Sequence, residues 1–544
     1  MAGGGVDRLS SLSNDLLRRI LHFPPLKEAA STTALSRRWR EPLWLSSAAI
    51  NLETGVAEKK KHRQRQGHEH NNAHARFFSG SDDLVSAATG ALNAADVPVT
   101  RLTLITWFPD YAEVASCYKD LVEVVLSHPA AHRVEELLLV AKDPYGNPYN
   151  RKVFNCTVTL DSLQMGTLRI LELTNCSGVL VNHTEAVLPR LSSLRLSHCT
   201  QQLGSLQRVI DAAPSLAAVR LESVFITHEE AIEATWRHLR CPATTVLVLD
   251  TCEWEVTIGP HRHGWFFEKT VDRLKINAMR LRRFSYKGPL RSYSFSPQPL
   301  EFEQVDLEFF EQGYRVKDPN RDLETFWKFT RNFTGTKDMR LSVNHLEDIA
   351  VLSEARQVEL LPMFRRLERL EFHGAHWTKD KTAAVTTILN LLHCCPVLIT
   401  LRINLTAKYE EEDASNKQGG HKQKGTTRKE ILMAAMVGPR YLFPCLQSSL
   451  RKVDLQFQLE KKDCLGVKLI KTFAENAMVL EEIRIDSGDE KLCEHMNPRI
   501  AKWNSSRREF GATNFVLLPL KRHSMAHHIF RITIERSETK IHIR

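Results

Sequence analysis

Cysteine and histidine are the residues here whose chemistry depends most on spacing, and their spacing argues against a reactive centre. Cys176, Cys199 and Cys252 each close a similar segment, L-E-L-T-N-C, L-R-L-S-H-C and L-V-L-D-T-C, so each lies at least a whole segment from the next. A structural zinc site instead gathers paired C-x-x-C ligands. His62, His68, His70 and His74 crowd into EKKKHRQRQGHEHNNAHAR (58–76), which is almost free of apolar residues. Ordering such a tract costs entropy, and it offers no second shell to orient a ligand. Cys394 and Cys395, before Pro396, read as core or turn residues. G-x-S-x-G, H-E-x-x-H and G-x-x-x-x-G-K-[ST] are absent, and no nucleophile is accompanied by a local base and orienting group. The expectation is a binding protein with no catalytic residue, no metal and no cofactor.

Composition narrows the class. At 544 residues and 42% hydrophobic the chain buries a sizeable core. Its net charge of +10, from 74 basic and 64 acidic residues, is diluted over that length and argues for solubility rather than nucleic-acid binding. MAGGGVDRLSSLSND has no apolar run behind a basic region, and Ala2 stands where a myristoylation motif needs glycine. No stretch approaches the roughly 18 uninterrupted apolar residues of a membrane helix. Cytoplasm or nucleus is expected, with the 11 cysteines as free thiols and no membrane partner.

The elements that position side chains repeat. L-x-x-L-x-L recurs at 168–173, 191–196, 216–221, 367–372 and 398–403, and Leu171, Leu194, Val219 and Leu247 are 23, 25 and 28 residues apart. That is the period of a leucine-rich repeat, whose corner after each strand takes a small buried Cys or Asn. Later repeats are longer and have room for a helix: in TAAVTTILNLLHCCP, Val385, Ile388, Leu389 and Leu392 form one apolar face. Strand inside and helix outside, repeated, predict an α/β curved solenoid. Glu172, Arg195, Arg220, Glu371 and Arg402 fall between the leucines, on the face open to a partner. They are the candidate target-binding set, against the alternative of a solvated face.

The first residues follow another rule. Leu16, Leu17, Ile20 and Leu21 share one side of a predicted helix capped by Ser13 and stopped by Pro24 and Pro25. A second helix is predicted from near Leu26 to Pro42, carrying Ala29, Ala30, Leu35 and Trp39. Two such helices cannot bury their apolar faces on each other alone. Trp44, beyond Pro42, is expected to anchor them to the solenoid.

Asp7-Arg8-Leu9, Leu12 to Leu21 and Ala34-Leu35-Ser36-Arg37-Arg38-Trp39-Arg40 together resemble the F-box of plant F-box proteins, in the family's order and spacing. The departure is Ser13, where the family usually has proline. The resemblance implies docking on a Skp-type adaptor and, through it, a cullin, with Leu12, Leu16, Leu17, Ile20, Leu21, Leu35 and Trp39 as adaptor contacts. The repeats resemble those of the same family, and the segment 475–483 resembles its FBD region. The expected layout is an F-box over 1–50, a basic, His-rich linker and entry to the solenoid over 51–95, with 58–76 a flexible tether or surface loop, and repeats over 96–445 with an insertion at 407–430. Final repeats and the FBD-like region fill 446–544. The implied function is the substrate-recognition subunit of a Skp–cullin–F-box ubiquitin ligase, with an unknown target on the repeats. The rival is a repeat scaffold without a ligase; a third reading makes 58–76 a nuclear-import or nucleic-acid patch.

Overall fold

A computed structural model of the chain describes residues 11–35, 39, 43–53, 85–95, 97–107, 122–142, 157–159, 166–180, 188–227, 237–254, 259–261, 264–266, 273–299, 301–311, 318–378, 381–409, 443–460, 464–486, 498, 513–520 and 529–536. It divides into two units, Met1–Arg280 and Leu281–Arg544. The division falls inside the stretch expected to form one repeat domain, and the basic tract 58–76 and most of the insertion lie outside the described residues.

In the first unit, helix α1 (Asn14–Leu21) and helix α2 (Leu26–Ser31) precede seven parallel strands. These are Ala49–Glu53, Arg101–Trp107, Glu136–Lys142, Ile170–Thr174, Ser193–Ser197, Ala218–Glu222 and Val246–Asp250, each hydrogen-bonded to the next. Their register stacks Leu102, Leu137, Leu171, Leu194, Val219 and Leu247 in one column. Leu104, Leu139, Leu173, Leu196, Leu221 and Leu249 form the second, and both columns are fully buried. The leucine spacing of the sequence is therefore one column of a ladder, because a period of two sends alternate side chains inward.

The corners carry the next regularity. Asn175, His198, Ser223 and Thr251 all adopt the left-handed region, with φ of 57°, 53°, 52° and 48°. Directly after three of them come Cys176, Cys199 and Cys252, all buried. Cys199 Sγ donates to Leu173 O of the preceding strand at 3.5 Å, and Cys252 Sγ to Leu221 O at 3.3 Å. These two thiols thus satisfy a carbonyl of the repeat before them, while Cys176 Sγ donates to Thr174 O of its own strand at 3.5 Å, a role suited to a small, weakly polar side chain. The outer layer is less helical than expected: between strands of the short repeats lie Thr200–Gln202, Phe225–Thr227 and Glu253–Trp254, a small parallel sheet of their own. A repeat of 23 to 28 residues leaves room for a short helix at most, such as Leu203–Asp211 in the repeat from Leu194 to Val219.

In the second unit the repeats lengthen, and the helices described there are Pro319–Thr330, Glu354–Leu360, Thr382–Cys394, Pro444–Ser448 and Leu465–Asn476. Seven parallel strands run from Arg283–Gly288 through Gln304–Phe309, Asp338–His345, Arg369–Trp377, Thr400–Lys408 and Lys452–Phe457 to Glu482–Asp486. Of the predicted face Val385, Ile388 and Leu392 are buried and Leu389 is half-buried, while Leu391, outside that face, is buried as well. Rings of Phe284, Tyr286, Tyr293, Phe295, Phe309, Phe329 and Phe333 fill the start of this unit, with centroids 5.2–5.8 Å apart in mostly edge-to-face pairs. The last parallel strand then pairs antiparallel with Ile529–Arg536, which pairs antiparallel with Thr513–Leu520. This reversal at the C-terminal side leaves no sign in the leucine template.

The first strand, Ala49–Glu53, changes the expected layout. It pairs residue by residue with Arg101–Trp107, so the chain between them, tract 58–76 included, connects two neighbouring rungs. A parallel pair needs a crossover connection, and the stretch between these two strands contains the tract 58–76, expected to be a tether or surface loop, which lies outside the described residues.

Candidate adaptor-binding site

The N-terminal module is built around α1. Ser13, with φ −64° and ψ 155°, accepts from Leu16 N at 3.4 Å, and Asp15 lies in the first turn, where the helix dipole favours an acid. The cap forms with serine where the resembled family has proline, and its φ already matches a proline ring. Asp15 also pairs with Arg18 at 3.0 Å.

The module's second helix is shorter than the sequence suggests. It ends at Ser31 and passes into a 3-10 turn over Thr32–Ala34. Ser31, Thr32 and Thr33 hydroxyls donate back to the carbonyls of Glu28, Ala29 and Ala30 at 2.7, 2.6 and 2.8 Å, competing with the helix's own hydrogen bonds.

Leu17, Leu21, Ala29, Trp39 and Leu43 form the module's own core, with Leu12 and Trp44 packed against it half-buried. Two expectations are corrected by this cluster. Leu17, Leu21 and Trp39 were expected at the adaptor, yet they are 0%, 3% and 5% exposed and hold the module together. Trp44 was expected to reach the repeats, and it packs on the same cluster instead. The other side of α1 is open: Leu16 and Ile20 are 46% and 45% exposed. They sit four residues apart on one helix face, about 100° round from Leu17 and Leu21. Leu35 at 66% is exposed, and so is Phe23 at 67%, which the sequence reading passed over. Phe23 lies just past α1, beyond the C-cap His22, so it belongs to the turn after the helix rather than to the stripe of Leu16 and Ile20.

The module is fastened to the first strand rather than tethered. Asn51 Nδ2 donates to His22 O at 2.9 Å and to Pro24 O at 3.1 Å. His22 Nδ1 donates to Ser47 O at 3.0 Å, so the proton is on that nitrogen. Arg18 Nε donates to Ser46 Oγ at 3.0 Å, and the Arg101 guanidinium lies over the Phe23 ring at 5.4 Å.

The candidate target-binding residues occupy the outward positions of the strands, as their spacing predicts. Glu172, Arg195 and Arg220 are direct neighbours in one row of the first unit. Arg195 places Nε and Nη2 on Glu222 Oε2 at 3.2 and 2.8 Å, and Ser197 Oγ donates to the same oxygen at 3.1 Å. In the second unit Glu371 and Arg402 belong to a row running Asp306, Arg340, Glu371, Arg402, Asp454, Arg484 over successive strands. Acid and base alternate at every step, with Arg402 3.9 Å from Glu371 and 3.4 Å from Asp454. These two residues, expected to face a partner's charge, are already neutralised by their neighbours.

Among the described residues no group of three or more His, Cys, Asp or Glu could hold a metal ion, and no helix is long and apolar enough to cross a membrane.

A small helical module that keeps one apolar stripe for itself and exposes another, fastened to a ladder of leucine-rich strands, is the arrangement that a resemblance to F-box proteins with leucine-rich repeats implies. The chain is similar to an F-box/FBD/LRR-repeat protein of Arabidopsis thaliana, 22% identical over 489 residues, which covers 88% of this chain and 90% of the relative. A putative F-box/LRR-repeat protein of the same plant is 22% identical over 426 residues, 76% of this chain and 79% of the relative. A putative FBD-associated F-box protein is 45% identical over 51 residues, 9% of this chain and 27% of the relative. No family model matches the chain.

Proposed function

We propose that this protein is the substrate-recognition subunit of a Skp–cullin–F-box ubiquitin ligase. The observation that carries the reading is the second apolar stripe of α1. Leu16 and Ile20 stand in water although Leu17 and Leu21, one residue on, complete the module's core. Large apolar side chains held outward on a packed module mark a docking face. With each already about half covered, burying it on an adaptor contributes on the order of 1 kcal/mol, with Phe23 and Leu35 adding area. Leu12, half-buried, contributes an edge at most. The relatives named for an F-box and leucine-rich repeats favour a Skp-type adaptor as the occupant.

In this mechanism the chain supplies no catalytic group. It holds a target protein on its strand face near the ubiquitin-charged enzyme, raising the effective concentration of target lysines. The hydrogen bonds from Asn51 to the α1–α2 turn make that placement geometric rather than a matter of tether length. Reconstitution with adaptor, cullin and the ubiquitin-charging enzymes tests it. Ubiquitin transfer to the chain's own lysines is expected, and is lost in Leu16→Asp/Ile20→Asp. Equal transfer with that variant favours the ligase-free scaffold.

A further inference from the structure

The two strand faces differ in a way that locates and types the target contact. In the second unit the outward rows carry acids, bases and neutral polar residues, and the central row is neutralised step by step. The first unit's face carries half-buried Ile105, Leu138, Val140 and Ile170 on three adjacent strands. In the row of Leu138 come Glu172, Arg195, Arg220 and Val248.

Arg220 is the exception in that row. Arg195 stands directly beside it, and both Glu222 and Glu172 act on Arg195. Among the described residues Arg220 itself has no ion pair or side-chain hydrogen bond. Two guanidinium groups on neighbouring strands repel, and only one has its carboxylate. Arg220 is therefore a guanidinium without an ion pair of its own among the described residues, although Glu222 and Asp250 lie in the neighbouring row, and it stands at a defined distance from an aliphatic patch. Leu138 and Arg220 are three strand steps apart, about 14 Å at the usual parallel spacing, the reach of about four extended residues.

We infer that the first unit's strand face binds an extended target segment carrying an aliphatic side chain and, about four residues along, an aspartate or glutamate. The aliphatic side chain sits on Ile105, Leu138 and Val140, and the carboxylate neutralises Arg220. This inference rests on reading the strand face as the target-binding surface.

The test uses the full-length chain and fluorescein-labelled synthetic peptides: one with a Leu–Val pair and an Asp four residues on, one with Lys in place of that Asp, and one with Ser in place of Leu and Val. Wild type is expected to prefer the Asp peptide over the Lys peptide by about tenfold, the scale of one charge contact, and to lose the Ser peptide. Arg220→Glu is expected to reverse the preference toward the Lys peptide, Arg220→Met to erase it, and Arg402→Glu in the second unit to leave it unchanged. A reversal cannot come from misfolding. The inference is overturned if no peptide binds, if wild type does not discriminate Asp from Lys, or if Arg402→Glu acts as Arg220→Glu does. The same preparations are assayed for adaptor capture. Lost capture with peptide preference intact supports this face and counts against the ligase; intact capture without preference overturns this inference alone.

Discussion

Asn51, on the first strand, and His22, at the end of α1, are joined by a 2.9 Å hydrogen bond that makes the helical module part of the first repeat. The same amide holds Pro24 O, so one side chain satisfies two turn carbonyls. Asn51→Ala leaves both without that donor and is expected to cost about 1–3 kcal/mol. Hydrogen exchange over residues 14–21 should accelerate in this variant before exchange in the strands changes.

The two stripes of α1 separate stability from binding. Leu17→Ala opens a cavity in the module core and is expected to destabilise it by about 2–5 kcal/mol. Leu16→Ala removes an exposed side chain and should cost below about 1 kcal/mol. Denaturation followed by module exchange protection distinguishes them; similar losses at both positions would remove the distinction between core and docking face.

The alternating ladder of the second unit should be worth little per rung. Arg402 lies half in solvent between Glu371 and Asp454, where ion pairs contribute about 0–1 kcal/mol and are screened by salt. Arg402→Ala is expected to shift the denaturation midpoint slightly at low ionic strength and not at high.

Buried thiols set an alkaline limit. Burial pushes Cys241 and Cys445 up to about 12, and contact with Cys176 together with burial raises Cys199. In the unfolded chain these thiols ionise near 9. Folded, they keep their protons, so the stability they contribute is complete below pH 9 and is lost as pH rises from 9 toward 12. Denaturation across that window should show the decline, and thiol reagents at neutral pH should leave these cysteines unmodified until the protein unfolds.

The leucine columns and their cysteine corners were legible because strand alternation and a fixed repeat step write themselves directly into residue type. The helical module was legible as two helices with a proline break. Which of its apolar residues face inward was not: Leu16 and Leu17 have the same chemistry, and only the packing of Trp39 and Leu43 decides between them. The fastening by Asn51 was hidden because one amide meeting two turn carbonyls leaves no pattern. The charged face was legible as outward positions, while its self-neutralisation depends on register between strands up to 52 residues apart.

Binding of purified Skp-type adaptor to the full-length chain, by titration calorimetry, measures the central claim most directly. Wild type and Arg402→Ala are expected to bind alike, while Leu16→Asp/Ile20→Asp keeps its exchange protection and loses binding by at least about a hundredfold, the loss of two buried apolar anchors. Equal affinity across the three proteins, or no binding by wild type, would contradict it.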